Sequence, residues 1–354
     1  MSMLNRLMQR LPQDIDCGII NNNINRRYFT NFSSTAGTLI VTHEKAYLLV
    51  DFRYYEMAVL RVKNAEVILF NDLNKEIDNI IKKHNCKNVA IEAYKVTVKE
   101  LQDYKNNFKN INFVTDYRFD KLIEELRIVK TNNEIYKILS AQEITELAFD
   151  HILKFISKGK TESEVARELN RFILDRADGL AFDTIVVSGV NSSLPHGVPS
   201  SKELQDGDFV TMDFGAMLDG YHSDMTRTVC IGTPSKEQTD LYKTILWGQK
   251  LALDFIKSEK VCKDVDKVTR DYFESLGYVS EFGHGLGHGV GLEIHEAPRL
   301  APKNDIVLKE GMVVTVEPGL YLQGKYGVRI EDMVVVTKDG CKNFTKCSKE
   351  LIIL

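Results

Sequence analysis

The apolar positions of the first third of the chain fall in short runs. Residues 37–42 and 45–50 are two β-rich runs joined at His43-Glu44, which predicts a hairpin. Asp51-Phe52-Arg53 opens a helical stretch, residues 65–70 form a further strand, residues 74–84 are helix-like and residues 88–93 form a strand again. Thr97 and Glu100 stand in capping-box spacing at the head of another helix, and residues 111–114 close the series as a strand. Strands alternating with helices predict a small α/β layer over about 120 residues. Asp51 and Arg53 are expected to be structural, or part of a subunit contact, rather than chemical.

Beyond residue 122 the period lengthens. Residues 124–134 form a charged link into a long amphipathic helix, capped at Thr131 or Asn132 and ended by Gly159. Thr161 with Glu164 is a second capping box, for a helix stopping at Gly179. Ser235 with Gln238 opens a third helix, and residues 264–276 make a fourth that ends at Gly277. Their apolar residues recur at helical spacing, as cover for a sheet, and Trp247 in the third is assigned to the core. The expected organisation is α+β in two domains, residues 1–122 and 123–354.

Several strands of the second domain carry acids where apolar residues belong. Residues 208–218 and 221–231 read as strands around Asp219-Gly220, a type I′ turn signal. A two-residue turn pairs 218 with 221, hence 213 with 226 and 215 with 224. Asp213 and Asp224 then lie diagonally on one face, within reach of a shared cation. Asp213 sits between Met212 and Phe214, where a carboxylate is costly unless paired or metal-bound. Residues 312–317 form an apolar strand ending on Glu317. Residues 328–336 form another, with Arg329 and Glu331 two apart on one face. For Glu317 taken alone, an ion pair with Arg329 is the simplest account.

Composition narrows the class. The 44% hydrophobic and 27% charged content is that of a globular protein. A net charge of −4 argues against a nucleic-acid binder working through a basic face. No run approaches the roughly 18 apolar residues of a membrane span. Residues 1–12 lack the apolar stretch of a secretion signal. The six cysteines are scattered, without a CxxC pair, and read as reduced thiols. Together these predict a cytoplasmic location.

The stretch from Gly283 to Glu296 concentrates the chemistry. It holds His284, His288 and His295 among glycines at 283, 285, 287, 289 and 291. That spacing is neither a helix nor a phosphate cradle, and it lets the backbone approach another segment closely. Clustered histidines are metal ligands or acid–base groups. Four ionised carboxylates in one pocket would repel strongly without cations. Asp213, Asp224, Glu317 and Glu331 with one imidazole suit two divalent ions.

His284 to Glu296 resembles at every position the signature of the Xaa-Pro aminopeptidase and prolidase family of "pita-bread" metallopeptidases. The resemblance extends over Pro195-His196-Gly197, residues 212–215 and 223–227, residues 315–319 and residues 328–332. The first 120 or so residues are similar to the creatinase-type N-terminal domain, through Phe29-Thr30-Asn31-Phe32 and residues 51–55. Val190 departs from the proline often found there. The resemblance implies a pita-bread catalytic domain in which Asp213, Asp224, His288, Glu317 and Glu331 hold two metal ions that share a hydroxide. Asp213 would chelate one ion, Asp224 and Glu331 bridge both, and His288 and Glu317 complete the other. It also implies a homodimer whose N-terminal domain reaches towards the partner's active site.

Further roles follow from that frame. His295 is the expected oxyanion stabiliser and Glu317 the proton shuttle. His196 is expected to line the pocket for the residue after the cut, His284 to be a pocket wall, and Arg329 to orient carboxylates or meet the leaving group. An oxygen-rich donor set without sulfur favours Mn²⁺ over Zn²⁺, with Co²⁺ as a substitute. The expected activity is removal of an N-terminal residue preceding proline from peptides. The alternative is a prolidase confined to Xaa-Pro dipeptides, and the remote one a non-catalytic binding module. The extra N-terminal domain counts against a methionine aminopeptidase, and His288 against a structural calcium site.

Overall fold

The computed structural model of the chain describes all 354 residues, in two compact units, Met1–Arg127 and Ile128–Leu354. The helix Arg118–Ile128 runs through position 122, so the chain leaves the first unit at the end of that helix.

The first unit is built on a six-stranded sheet. Its strand order is Glu66–Leu69, Ala46–Val50, Thr38–Thr42, Cys17–Ile20, Asn88–Ile91, Asn112–Val114. The hairpin pairs Thr38 with Leu49 and Val41 with Ala46. Cys17–Ile20 is a central strand, antiparallel to Thr38–Thr42 and parallel to Asn88–Ile91. Sequence reading missed it because four residues without alternation leave no period to detect. Helices cover both faces. Leu4, Leu7, Phe29 and Phe119 pack on one, and Ile77, Ile80, Ile81 and Tyr104 on the other. Asp51 caps the helix Phe52–Arg61 through the Arg53 N–H and pairs with the Arg53 guanidinium at 2.6 Å.

In the second unit two helix pairs lie on two sheets. Asn132–Ile152 and Glu162–Leu174 cover the sheet of Ile185–Ser188, Phe209–Phe214 and Met225–Cys230. Lys236–Phe255 and Cys262–Ser275 cover a five-stranded sheet containing Gly287–Gly289, Val313–Val316 and Asp332–Val336. Of the two candidate caps Thr131 is the one used, in a box with Glu134, and the pairs Thr161–Glu164 and Ser235–Gln238 form boxes too. The first two helices end at Ile152 and Leu174, short of Gly159 and Gly179. The first of these glycines takes a turn at φ 87° and the second opens a short strand. The fourth helix begins at Cys262, two residues earlier than expected.

Trp247 is 53% exposed and is not core. Helix Lys236–Phe255 buries Leu241, Tyr242, Ile245, Gln249 and Ala252 on one side, and position 247 falls on the opposite side.

The acid-bearing hairpin keeps its expected register. Leu218 faces Tyr221, Asp213 faces Thr226, and the turn residues Asp219 and Gly220 both have positive φ. The strands break at Gly215, where a Cβ would stand 2.0 Å from the Ser223 carbonyl oxygen. Residues 328–336 are not one strand. Tyr326–Arg329 pairs with Gly319–Leu322, whereas Asp332–Val336 pairs with Val313–Val316. Ile330 and Glu331 turn the chain between them, held by Pro318 O and Thr226 O.

Candidate metal centre

A cavity of about 340 Å³ opens between these two sheets. His196, Asp213, Asp224, His284, His288, His295, Glu317, Arg329 and Glu331 all line it. They arrive from six chain segments, and the two sheets bring them together.

His288 sits on the short strand Gly287–Gly289. Its neighbours must be glycines, since a Cβ on Gly287 would lie 2.1 Å from Thr315 O and one on Gly289 2.2 Å from Ala297 O. The His288 N–H donates to Thr315 Oγ1, and Thr315 Oγ1 donates to Glu317 Oε1 at 3.0 Å. The ring's Nδ1 faces the Gly289 carbonyl at 3.1 Å, which can only accept. Nε2 is therefore the nitrogen turned to the acids, 3.5 Å from Asp224 Oδ2 and 3.3 Å from Glu317 Oε1, where it pairs with them as a cation and would give a lone pair to a metal only on losing its proton.

The carboxylates are unequal. Asp213 gives Oδ2 to Arg329 Nη2 at 2.7 Å, while its Oδ1 is buried without a partner. Arg329 thus pairs with Asp213 and not with Glu317. Glu331 is 1% exposed and accepts from Thr226 Oγ1 at 2.7 Å through Oε2, leaving Oε1 unpartnered. Burial pushes Asp224 and Glu331 well above the usual carboxylate range, and neighbouring acids add to it. Asp213 is also raised by burial, against the pull of Arg329. For Glu317 burial works upward, but His288 outweighs it and holds the acid at about 2. Burial opposes protonation of His288, yet Glu317 and Asp224 lift it to about 9.

These observations test whether the residues fit a cation. Two buried carboxylate oxygens without donors, and acids that resist ionising side by side, describe a cavity short of positive charge. Ligand atoms of Asp224, His288 and Glu331 lie within 4.8 Å of one another. The donor set, four carboxylates and one imidazole, fits divalent cations.

Around this centre stand groups that sequence reading placed and others that it missed. His295 meets His288 edge-on at 4.3 Å between ring centroids, and burial with the His288 charge lowers its pKa. His284 donates from Nδ1 to Gly285 O, and burial lowers its pKa. His196 sits on an exposed loop at the rim. Tyr321 was missed. It accepts from Arg329 Nη1 at 2.7 Å and reaches His284 Nε2 at 3.3 Å. It comes from a hairpin with no motif of its own. Thr226 and Thr315 carried a signal that was not used, since one faces Asp213 in the hairpin register and the other stands two before Glu317. Phe182, Ile185 and Ile294 form apolar wall, and Arg299 adds a cation at the rim.

Residues 136–338 match the family model of metallopeptidase family M24, and residues 3–129 match that of the creatinase/prolidase N-terminal domain. The Xaa-Pro dipeptidase of Pyrococcus furiosus is 39% identical over 99% of both chains. The solved Xaa-Pro dipeptidase from Bacillus anthracis superimposes with a TM-score of 0.95, at 41% identity over 99% of both chains. The X-Pro aminopeptidase structure from Thermotoga maritima gives 0.91, at 35% identity over the whole of both chains.

Proposed function

This chain belongs to metallopeptidase family M24, and on that premise we propose that it is an Xaa-Pro dipeptidase working with two divalent metal ions. It is a metallopeptidase with the two-domain creatinase and pita-bread architecture. The sequence motifs alone lean to an aminopeptidase on longer peptides, with the dipeptidase as the alternative. The near full-length likeness to Xaa-Pro dipeptidases favours the dipeptidase instead. The observation that carries the reading is the cation-deficient cavity, with its two unpartnered carboxylate oxygens.

Asp213, Asp224, His288, Glu317 and Glu331 would hold the ions, and Mn²⁺ suits this oxygen-rich set. When bound, such ions supply a nucleophile from water at neutral pH and polarise a carbonyl. Arg329 keeps Asp213 oriented by its 2.7 Å pair, and Thr226 does the same for Glu331. Glu317, at the cavity wall, accepts the nucleophile's proton and returns it to the leaving amine. His295 faces the same space and stabilises the developing oxyanion. His196 closes over the residue after the cut, and the Arg329–Tyr321–His284 chain fixes the opposite wall.

The helix Phe52–Arg61 buries only Ala58 and leaves Phe52, Met57 and Leu60 exposed, which supports a homodimer. No helix is long and apolar enough to cross a membrane. Six free cysteines support a reducing, cytoplasmic setting.

The test is hydrolysis of Gly-Pro and of Arg-Pro-Pro by metal-stripped protein, with and without Mn²⁺, beside Asp224→Ala. Metal-dependent cleavage of the dipeptide alone is expected. Release of Arg from the tripeptide would favour the aminopeptidase reading, for which the Thermotoga maritima likeness speaks. Turnover of neither, with metal bound, would sink both.

A further inference from the structure

The loop that presents His196 leaves the strand Ile185–Ser188, passes through the 3-10 turn Gly189–Ser193 and returns at Ser200. Beneath it lies Glu162, first residue of the helix Glu162–Leu174 and fully buried. Its Oε1 accepts from Ser188 N at 2.6 Å, Ser188 Oγ at 2.9 Å and Asn191 Nδ2 at 3.1 Å. Its Oε2 accepts from Ser200 N at 3.0 Å, Ser200 Oγ at 2.6 Å and Asn191 Nδ2 at 3.3 Å. One carboxylate therefore holds both ends of the loop, each through a separate oxygen.

Helix capping does not explain this residue. Thr161 and Glu164 already form the complete capping box of that helix. A buried carboxylate is tolerated only where hydrogen bonds replace its water, and here every donor comes from the loop or from the residue at either end of it. On its inner side the same loop is tied by Gly327 N to Ser192 Oγ at 2.9 Å and by Arg329 Nη1 to Pro195 O at 3.2 Å. Between these anchors the tip is exposed, with Leu194 and Val198 flanking His196. None of the nine cavity residues named above bonds to Glu162.

We propose that Glu162 is a positioning residue that sets His196 over the cavity by fastening both ends of its loop, a role resting on the reading of His196 as the group that meets the residue after the cut. A loosened loop must be ordered at each binding event, and that cost weakens substrate binding. Chemistry at the proposed ligands, which come from other segments of the chain, is left intact.

Glu162→Gln tests this, because an amide can offer an acceptor to only one loop end and sets N–H groups against the donors of the other. In Mn²⁺-loaded enzyme acting on Gly-Pro, KM is expected to rise about ten-fold, the scale of a lost charge-assisted hydrogen bond. kcat is expected to change less than about two-fold, and Mn²⁺ binding by the stripped protein to be unchanged. In a His196→Ala background the same substitution is expected to leave KM unchanged, since its target is gone. Unchanged KM in the single variant, an equal rise in both backgrounds, or weakened Mn²⁺ binding would each overturn the proposal. Ser200→Ala, which removes one hydroxyl donor and keeps Glu162, is the milder variant should Glu162→Gln fail to fold. It is expected to raise KM in the same His196-dependent way, and no rise would overturn the proposal. Hydrogen exchange separates this idea from the functional reading. If the wild type cleaves no proline dipeptide, that reading fails, while faster exchange confined to residues 189–200 in Glu162→Gln still supports the fastening role and unaltered exchange rejects it.

Discussion

Asp224 and Glu331 are the residues least at ease in this protein without metal. Both are almost fully buried, and both are pushed upward by burial first and then by neighbouring acids, Asp213 and Glu317 for Asp224, and Asp224, Glu317 and Asp213 for Glu331. Asp224→Asn removes one of the competing charges while keeping the shape. The metal-free variant should match or exceed the metal-free wild type in stability, by about 1–3 kcal/mol, the scale of relieving an unpaired buried acid. It should also lose most of the thermal shift that Mn²⁺ produces in the wild type. Differential scanning fluorimetry with and without the ion checks both halves, and a metal-free variant less stable than wild type would refute the account. Arg329 is a second such residue. It serves Asp213, Thr226, Tyr321 and the Pro195 carbonyl at once, so Arg329→Lys cannot replace its planar fork. A fall in kcat/KM of at least about ten-fold is expected for that variant, measured at saturating Mn²⁺.

Single elements carry the proposed ligands because other elements brace them. Gln249 on the helix Lys236–Phe255 is fully buried and gives Nε2 to Val316 O at 3.0 Å and Ile330 O at 3.2 Å. Those carbonyls immediately precede Glu317 and Glu331. Gln249→Leu strands both, and should weaken Mn²⁺ binding about ten-fold, as removal of outer-shell support commonly does. Titration of the stripped protein reads it directly, and wild-type affinity would show that the helix merely covers the sheet. The first helix pair is coupled differently. Glu168 accepts from Arg171 on its own helix and from His151 on the helix Asn132–Ile152. Arg171 foremost and His151 next hold its acid at about 2. A lowered carboxylate stabilises the fold fully above its unfolded value, about 4.3, and that contribution fades as pH falls towards 2. Glu168→Gln should therefore lower the urea midpoint at pH 7 and differ progressively less from wild type between pH 4 and pH 2. A difference that stays constant across that range would assign the effect to packing.

At the scale of the whole molecule the proposed ions would act as a cross-link between sheets. Asp213 lies on the sheet of Phe209–Phe214 and Met225–Cys230, and Asp224 stands just before its second strand. His288 belongs to the five-stranded sheet, and Glu317 and Glu331 stand at the ends of its strands Val313–Val316 and Asp332–Val336. An ion at about 100 times its Kd stabilises the state that binds it by about 2.7 kcal/mol. Hydrogen exchange should show that gain across residues 209–232, 284–289 and 313–333, with none across the six-stranded sheet of Met1–Arg127. Protection spread over both units alike would contradict a cross-link confined to Ile128–Leu354.

Much of this was determined by local pattern. The capping pairs at Thr97, Thr161 and Ser235 are four-residue signals, and all three form, as does one at Thr131. The Asp219-Gly220 turn sets the register that faces Asp213 with Thr226, because a two-residue loop leaves no freedom of pairing. The acids at 213, 224, 317 and 331 stood out because an ionisable group in an apolar run costs free energy unless something answers it. Tertiary structure alone decided which groups answer. It turned the chain at Ile330-Glu331, paired Arg329 with Asp213 across 116 positions and brought Tyr321 to His284. It buried Cys17–Ile20 at the centre of a sheet, exposed Trp247, and placed Glu162 under a loop that it meets only in space. Such contacts join residues far apart in the chain through packing, and no local period records which distant donor will fill a given buried acceptor.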